Sequence, residues 1–240
     1  MADRPYRIPV LRGTVRKGAR SAGVARWVAS RLTEQPDVET RIIELETLSL
    51  PANNEGTSIR SQEFSDLVDQ SDGLIIVSPE YNHGYPASLK HVLDTNYTEY
   101  VHKPVGLVGV STGALGGARM IENLLPVLRA VGLVLIQRDV TIGNVAGAFD
   151  DEEQHTDEGT VHRLDGMVRE LLWMAATLRQ GREAVPTRLE FATDTIACSD
   201  CGTPMNHHAT LIDEEAGGFS ARVHACPACG GSTAERGGIE

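Results

Sequence analysis

The chain of 240 residues contains only four cysteines and three lysines, and it has no long apolar run. All four cysteines lie among the last 43 residues, which excludes a disulfide framework across the rest of the chain. No apolar run approaches the ~20 residues of a membrane helix. The first ten residues include Asp3, Arg4 and Arg7, where a secretory signal needs an apolar segment. We therefore predict a cytoplasmic protein with no membrane partner.

Charge is distributed unevenly along the chain. The net charge is −11, yet residues 1–31 contain eight arginine or lysine side chains and a single acid, Asp3. A chain that is this acidic overall has no bulk affinity for nucleic acid. We therefore predict no nucleic-acid partner. Contact of the basic N-terminal segment with RNA is the alternative, and no interleaved aromatic residues support it.

Short apolar runs alternate five times with amphipathic helical patterns in the first 182 residues. Two of them, residues 74–77 and 105–110, consist of apolar residues and glycine, as in strands buried on both faces. This alternation predicts a doubly wound, five-stranded parallel sheet with its ligand site outside the carboxyl ends of the strands. The other strands are predicted over residues 8–12, 38–45 and 133–136, with a continuation of the last strand past Arg138 left open. The helices are predicted over 59–70, 86–97 and 158–180, from Ser21 and after Gly117.

Three loops at these strand ends are rich in Gly, Pro, Ser and Asn. Residues 13–21 combine glycine, hydroxyls and Arg16 at a helix N-terminus, which suits a monophosphate, although a basic surface turn has the same composition. Residues 78–86 place Tyr81 and Tyr85 where they can flank a flat ring. Residues 111–117 carry three glycines, which fit either close approach of a ligand or a flexible connection. His83 is a candidate proton donor, and a solvated loop histidine is the simpler interpretation.

Taken together, these loops resemble those of the NADPH-dependent FMN reductase family, which has a flavodoxin-like fold. Gly13-Thr14-Val15-Arg16 with Ser21 is similar to the family's Gly-Ser-x-Arg…Ser phosphate loop. Pro79-Glu80-Tyr81-Asn82, with Pro86, Leu89, Lys90 and Asp94, is similar to the second motif, and Ser111-x-Gly113-x-x-Gly116-Gly117 to the third. The resemblance covers about residues 7–182. Thr95 and Asn96 depart from the family pattern, which often has an aromatic residue at this subunit contact.

The resemblance implies an FMN-dependent oxidoreductase that uses NADPH. FMN phosphate is expected on Thr14, Arg16 and Ser21. The ribityl chain and ring are expected to meet Pro79, Glu80, Tyr81, Asn82, Ser111, Thr112, Gly113, Gly116 and Gly117. NADPH would reduce the flavin, and a quinone, flavin, azo or nitro acceptor would take the electrons in a ping-pong cycle, with no certain catalytic residue.

The resemblance also implies a homodimer or homotetramer. Two other functions compete with the reductase. One is a non-enzymatic flavoprotein that senses redox state or binds a partner through its C-terminal segment. The other is a flavodoxin-type electron carrier, but flavodoxins use a Thr/Ser-rich phosphate loop that Arg16 and Lys17 do not resemble.

The C-terminal segment differs from the rest. Cys198-x-x-Cys201 and Cys226-x-x-Cys229 provide four thiolates in two turns, each followed by glycine, and predict a zinc ribbon. Iron, a redox disulfide, and ligation by His207, His208 or His224 are the alternatives. Iron is disfavoured because Phe219 is the only aromatic residue after position 191. We predict a reductase domain over residues 1–184, a linker over 185–193 and a ribbon domain over 194–240.

Overall fold

The structure is a computed structural model that describes residues 4–48, 50, 61–96, 98–150, 152–184, 197–202, 206–213, 219–226 and 228–236. The chain divides into two compact units, Met1–Val185 and Pro186–Glu240. The predicted linker over residues 185–193 lies outside the described residues, as do residues 59, 60 and 97 at the ends of two predicted helices.

The first unit alternates strands and helices along the chain. In order, its elements are β1 (Tyr6–Arg7), β2 (Val10–Arg12), α1 (Ser21–Thr33), β3 (Val38–Glu39), β4 (Ile42–Glu44), α2 (Gln62–Asp69), β5 (Leu74–Pro79), α3 (Ala87–Asp94), β6 (Pro104–Val110), α4 (Ala118–Ala130), β7 (Val134–Leu135), β8 (Val140–Ile142) and α5 (Glu158–Ala184).

The central sheet is parallel, with strand order β4-β2-β5-β6-β7, and β8 also pairs with β6. Strands β7 and β8 therefore share the fifth position, and the predicted flavodoxin-like parallel sheet is confirmed. Strands β1 and β3 form a separate parallel pair. Pro9 stands between β1 and β2 and has no N–H to donate, which explains why the predicted strand over 8–12 begins at Val10.

Alternation along the two middle strands builds a core on each face of the sheet. Ile75 and Val77 pack with α1 and α5, whereas Leu74 and Ile76 pack with α2, α3 and α4. All six residues of β5 and all seven of β6 are buried. Because both faces of these strands are buried, residues 74–77 and 105–110 do not alternate between apolar and polar side chains.

The fifth strand differs from its prediction. Residues 133–136 were expected to form one strand, but exposed polar residues, Gln137, Arg138 and Asp139, separate β7 from β8. Strand β8 then pairs with β6 near its carboxyl end, where Val140 and Ile142 are buried. This return to the sheet brings the segment after β8 to the edge where the ligand site is expected.

The second unit contains a three-stranded antiparallel sheet. Its strands are β9 (Asn206–Asp213), β10 (Phe219–Ala225) and β11 (Ser232–Arg236), in the order β11-β10-β9. One cysteine turn precedes β9 and the other connects β10 to β11. Among the described residues of both units, no helix has the length and apolar character to cross a membrane.

Candidate functional site

The first loop connects β2 to α1. Gly13 packs so closely on β5 that a Cβ there would lie 2.9 Å from Ser78 Cβ. The Thr14 hydroxyl is buried, accepts a hydrogen bond from the Arg16 N–H at 3.2 Å and lies 3.2 Å from the Tyr81 hydroxyl. Helix α1 then begins without a side-chain cap or an acidic residue in its first turn. An anion would find a favourable partner at this helix end.

The second loop is a tight hairpin rather than an open turn. The Tyr81 and Gly84 backbones exchange hydrogen bonds of 2.9 Å in both directions. Asn82 and His83 between them have φ of 49° and 67°, as in type I′ turns. The Asn123 side chain of α4 donates to the His83 carbonyl at 2.7 Å. These bonds hold the loop rigid and leave the His83 side chain exposed.

The third loop packs back on the sheet. Gly116 and Gly117 have φ of +62° and +91°, and a Cβ on Gly117 would lie 2.6 Å from the Val110 nitrogen. These two glycines therefore permit backbone to approach backbone. The segment after β8 is tied to the same loop, because the Val145 N–H donates to the Ser111 carbonyl at 3.2 Å.

The three loops enclose a cleft of about 330 Å³ at the carboxyl ends of the strands, within the range of small-molecule sites. Of the predicted site residues, the cleft is lined by Arg16, Ser21, Pro79, Glu80, Tyr81, Ser111 and Thr112. The others, Thr14, Asn82, Gly113, Gly116 and Gly117, support the walls and are not among the described lining residues. His83 is likewise absent from that lining.

Two polar atoms at the wall have no partner in the described part of the chain. Ser21 is 1% exposed, and its Oγ makes no hydrogen bond. One oxygen of the buried Glu80 carboxylate accepts a bond of 2.7 Å from Arg119 Nε, whereas Oε2 has none. Buried polar groups are ordinarily satisfied, so these atoms mark the places where the protein lacks a partner.

The basic N-terminal segment supplies three cations to this cleft. Five of its eight cations are ion-paired elsewhere: Arg4 with Asp72, Arg7 with Glu39, Arg12 with Glu44, Arg26 with Glu153 and Arg31 with Asp165. Arg16, Lys17 and Arg20 are exposed at the cleft, and none has an acidic partner among the described residues. The Arg16 guanidinium lies 6.0 Å from the centre of the Tyr81 ring. The cleft therefore carries a concentrated positive charge in an acidic protein.

A sequence profile of the family described as NADPH-dependent FMN reductase matches residues 6–147, more than half of the chain. The chain belongs to this family. The match contains all three of the loops that meet at the cleft. The predicted family is therefore confirmed.

Individual relatives agree with this assignment. The NADH:(hydroxy)cinnamate reductase subunit CrdA of Vibrio ruber is 37% identical over 115 residues, which are 45% of this chain and 57% of that subunit. An NADPH azoreductase of Bacillus sp. is 30% identical over 141 residues, 57% of this chain and 76% of the azoreductase. The flavoenzyme NAD(P)H:(acceptor) oxidoreductase FerB of Paracoccus denitrificans shares the fold, with a TM-score of 0.59 at 22% identity over 73% of this chain and 98% of FerB. The chain spans little more than half the length of the Vibrio subunit.

Sequence reasoning missed several cleft residues of this FMN reductase family member. Val145 lines the cleft because β8 carries the chain back to the sheet, and recognising β8 would have been the signal for it. Lys17 and Arg20 were visible only as part of a basic segment. Arg119, the partner of Glu80, comes from the start of α4 and carries no local signal.

Four sulfur atoms meet in the second unit, outside the residues that the family profile matches. All four Sγ atoms lie within 4.8 Å of one another, with Cys198–Cys229 and Cys201–Cys226 distances of 3.5 Å. Zn–S bonds of about 2.3 Å imply tetrahedral edges of about 3.8 Å. Gly202 and Gly230 have φ of +71° and +75°, and their N–H groups donate to the Cys198 and Cys226 carbonyls. The side chains of His207, His208 and His224 lie outside the described atoms.

Proposed function

We propose that this chain is an FMN-dependent NAD(P)H oxidoreductase that reduces a small acceptor such as a quinone, a flavin, or an azo or nitro compound. The observation that carries the proposal is the convergence of three family motifs on one positively charged cleft. The name of the Bacillus relative indicates that azo compounds belong among the acceptors to be tested.

The residues present fit the phosphate of FMN. A phosphate monoester carries about −1.5 to −2 charges at neutral pH and offers strong acceptor oxygens. Ser21 Oγ lacks a partner at the cleft wall, and Arg16 lacks an acidic partner among the described residues. We assign the phosphate to Arg16 and Ser21, while Thr14 shapes the loop through its bond from the Arg16 N–H.

The remaining walls suit a flat, polar-edged ring. The Tyr81 side chain contacts Thr14 through its hydroxyl and Arg16 through its ring. Asn123 anchors the hairpin by its hydrogen bond to the His83 carbonyl. We assign the ring and ribityl chain to Pro79–Tyr81 and to Ser111 and Thr112, which line the cleft. When bound, FMN supplies hydride acceptance from NAD(P)H and electron donation to the acceptor. The protein orients the reactants, and its cations favour negative charge on the ring.

One cleft serves both substrates in this proposal. The dinucleotide and the acceptor must approach the same open face, so the first has to leave before the second enters. We therefore expect ping-pong kinetics, with parallel lines in double-reciprocal plots of rate against NADPH at several quinone concentrations. Intersecting lines would show that both substrates bind at once.

A spectrum and a titration test the cofactor assignment. The purified chain should be yellow, and it should oxidise NADPH when a quinone or an azo dye is supplied. Arg16→Ala should raise the dissociation constant for FMN about tenfold, because a charge-assisted bond contributes ~1.5–3 kcal/mol and Arg16 is exposed. Arg129→Ala, which changes an exposed arginine near the end of α4, is the matched control. A colourless protein that cannot be reconstituted with FMN would exclude the proposal.

We further propose that the four cysteines bind one zinc ion. The sulfur distances close to tetrahedral edges and the two tight turns support this assignment. Elemental analysis should find about one zinc per chain. A red protein containing iron instead would assign the centre to electron transfer.

A homodimer or homotetramer remains part of the proposal. Val15 and Leu115, in the first and third loops, are exposed apolar residues that a second copy would cover. Light scattering of the purified chain measures the mass directly. A monomeric mass at micromolar concentration would contradict this part of the proposal and leave the cofactor assignment untouched.

A further inference from the structure

We infer that Lys17 and Arg20 bind a phosphate group of the reduced nicotinamide dinucleotide, and so select phosphorylated hydride donors over phosphate-free ones. The inference rests on the proposed function and extends it, because it identifies residues of the first loop that recognise the substrate rather than the cofactor.

The first step is a charge count at the cleft. Three cations, Arg16, Lys17 and Arg20, line it, and none has an acidic partner among the described residues. The beginning of α1 adds further positive potential, since its first turn contains no acidic residue. One phosphate monoester neutralises at most two of these charges. Positive charge therefore remains for a second anion.

The second step separates the cations by position. Ser21 is 1% exposed, and its Oγ has no hydrogen-bond partner. A phosphate that accepts a hydrogen bond from this hydroxyl therefore lies deep in the cleft, at the start of α1 and near Arg16. Lys17 and Arg20 are exposed on either side of Gly18, whose φ of +70° turns the chain between them. Their side chains belong to the rim of the cleft, where a substrate arrives and leaves.

The third step is chemical. Both nicotinamide dinucleotides carry a pyrophosphate, and NADPH carries a 2′-phosphate as well. Arginine matches phosphate oxygens with a planar pair of donors, and lysine acts as a point charge. Lys17 and Arg20 would therefore contact either the pyrophosphate or the 2′-phosphate of the hydride donor. Experiment can distinguish these two groups.

The test compares three hydride donors on FMN-saturated full-length protein. NADPH has both phosphate groups, NADH lacks the 2′-phosphate, and 1-benzyl-1,4-dihydronicotinamide has no phosphate. For Arg20→Ala and Lys17→Ala, we expect the ratio of kcat/KM for NADPH to that for the benzyl donor to fall about tenfold. Arg129→Ala should keep the ratio of the unmodified chain. A fall for NADPH alone identifies the 2′-phosphate, and an equal fall for NADH identifies the pyrophosphate.

A binding measurement provides a readout independent of turnover. Calorimetric titration of the FMN-loaded protein with 2′,5′-ADP and with 5′-ADP should show weaker binding in Arg20→Ala, while the dissociation constant for FMN changes less than twofold. Unchanged donor ratios in both variants would overturn the inference, as would a tenfold loss of FMN affinity, which would place both side chains on the cofactor. A chain that holds no flavin and oxidises none of the three donors would instead refute the proposed function itself.

Discussion

The two units of this chain differ in the apolar core that the structure describes for each. Residues in the first unit bury two apolar clusters, one on each face of the parallel sheet, with Trp27, Phe64 and Tyr100 among the largest fully buried side chains. In the second unit, among the residues whose side chains the structure describes, the buried apolar cluster consists of Cys198 and Cys226 alone. Small domains commonly rely on a metal or a cross-link, because a single apolar core contributes little stability at that size. The proposed zinc ion would give the second unit a source of stability that the first unit obtains from its apolar core.

Removal of the proposed zinc ion should have the largest effect, and it should act on the second unit. Dialysis of the full chain against a strong chelator should unfold the second unit and leave the first folded, because structural zinc contributes ~10–16 kcal/mol in small domains. Cys198→Ser should do the same, whereas Ser199→Ala in the same turn should not. Amide resonances and zinc content report the outcome for each unit. Dispersed resonances from residues 206–236 in the metal-free protein would show that this unit has another source of stability.

A core substitution should destabilise the first unit and leave the second unit unchanged. Leu124→Ala removes a fully buried leucine of α4 and should lower the free energy of unfolding of that unit by ~2–5 kcal/mol. Arg129→Ala on the same helix is the control, because this arginine is exposed and its loss should change stability by less than ~0.5 kcal/mol. Denaturant melts give both values. Zinc content should stay constant in both variants, and a loss of zinc in Leu124→Ala would mean that the units are coupled.

A buried lysine makes the stability of the first unit depend on pH. Lys103 donates to the Asp69 carbonyl at 2.6 Å and to the Val68 carbonyl, and burial lowers its pKa to about 8 from 10.5. The unfolded chain binds more protons between these values, so stability should rise as pH increases from about 8 to 10.5.

The rise should amount to ~2–3 kcal/mol relative to Lys103→Met, which lacks the titrating group. Denaturant midpoints of both proteins across this range measure the difference, which cancels the titration of other groups. Parallel stability curves for the two proteins would show that Lys103 titrates at its ordinary pKa in the folded state.

A loop glycine gives the smallest expected effect. Gly117→Ala forces a Cβ against the Val110 nitrogen at a φ of +91°, and it should destabilise the first unit by ~1–3 kcal/mol. Gly147→Ala, in the segment after β8, has open space around the added methyl group and should be neutral. Thermal melts and FMN affinity should both respond at Gly117 only. Equal effects at the two positions would argue against the close packing of the third loop.

Much of the fold follows from local pattern, and the exceptions have physical causes. The runs over residues 74–77 and 105–110 indicated buried parallel strands, because only strands covered on both faces are apolar at every position. A continuation of the fifth strand past Arg138 was left open, but its division into β7 and β8 was missed. The pairing of β8 with β6 is a long-range contact that local pattern does not carry.

In the candidate site, too, local motifs predicted some residues and long-range contacts decided the others. Arg16, Ser21, Tyr81 and Thr112 were predicted from motifs at strand ends and line the cleft, because parallel strands bring such ends to one edge. Sequence alone did not distinguish the glycines that pack the third loop from glycines that touch a ligand. Nor did it show which members of the basic segment keep a partner, since Arg12 and Arg26 pair with acids that lie far along the chain.

The sequence by itself determined the alternation of strands and helices, the family, and the spacing of the four cysteines in the second unit. These depend on periodicity and on spacing within short segments, which the chain carries without reference to its other parts. Only the tertiary structure decided which polar atoms at the cleft lack partners and which cations stay unpaired there. Hydrogen bonds and ion pairs join residues that are distant in sequence, and folding alone brings them within reach of each other.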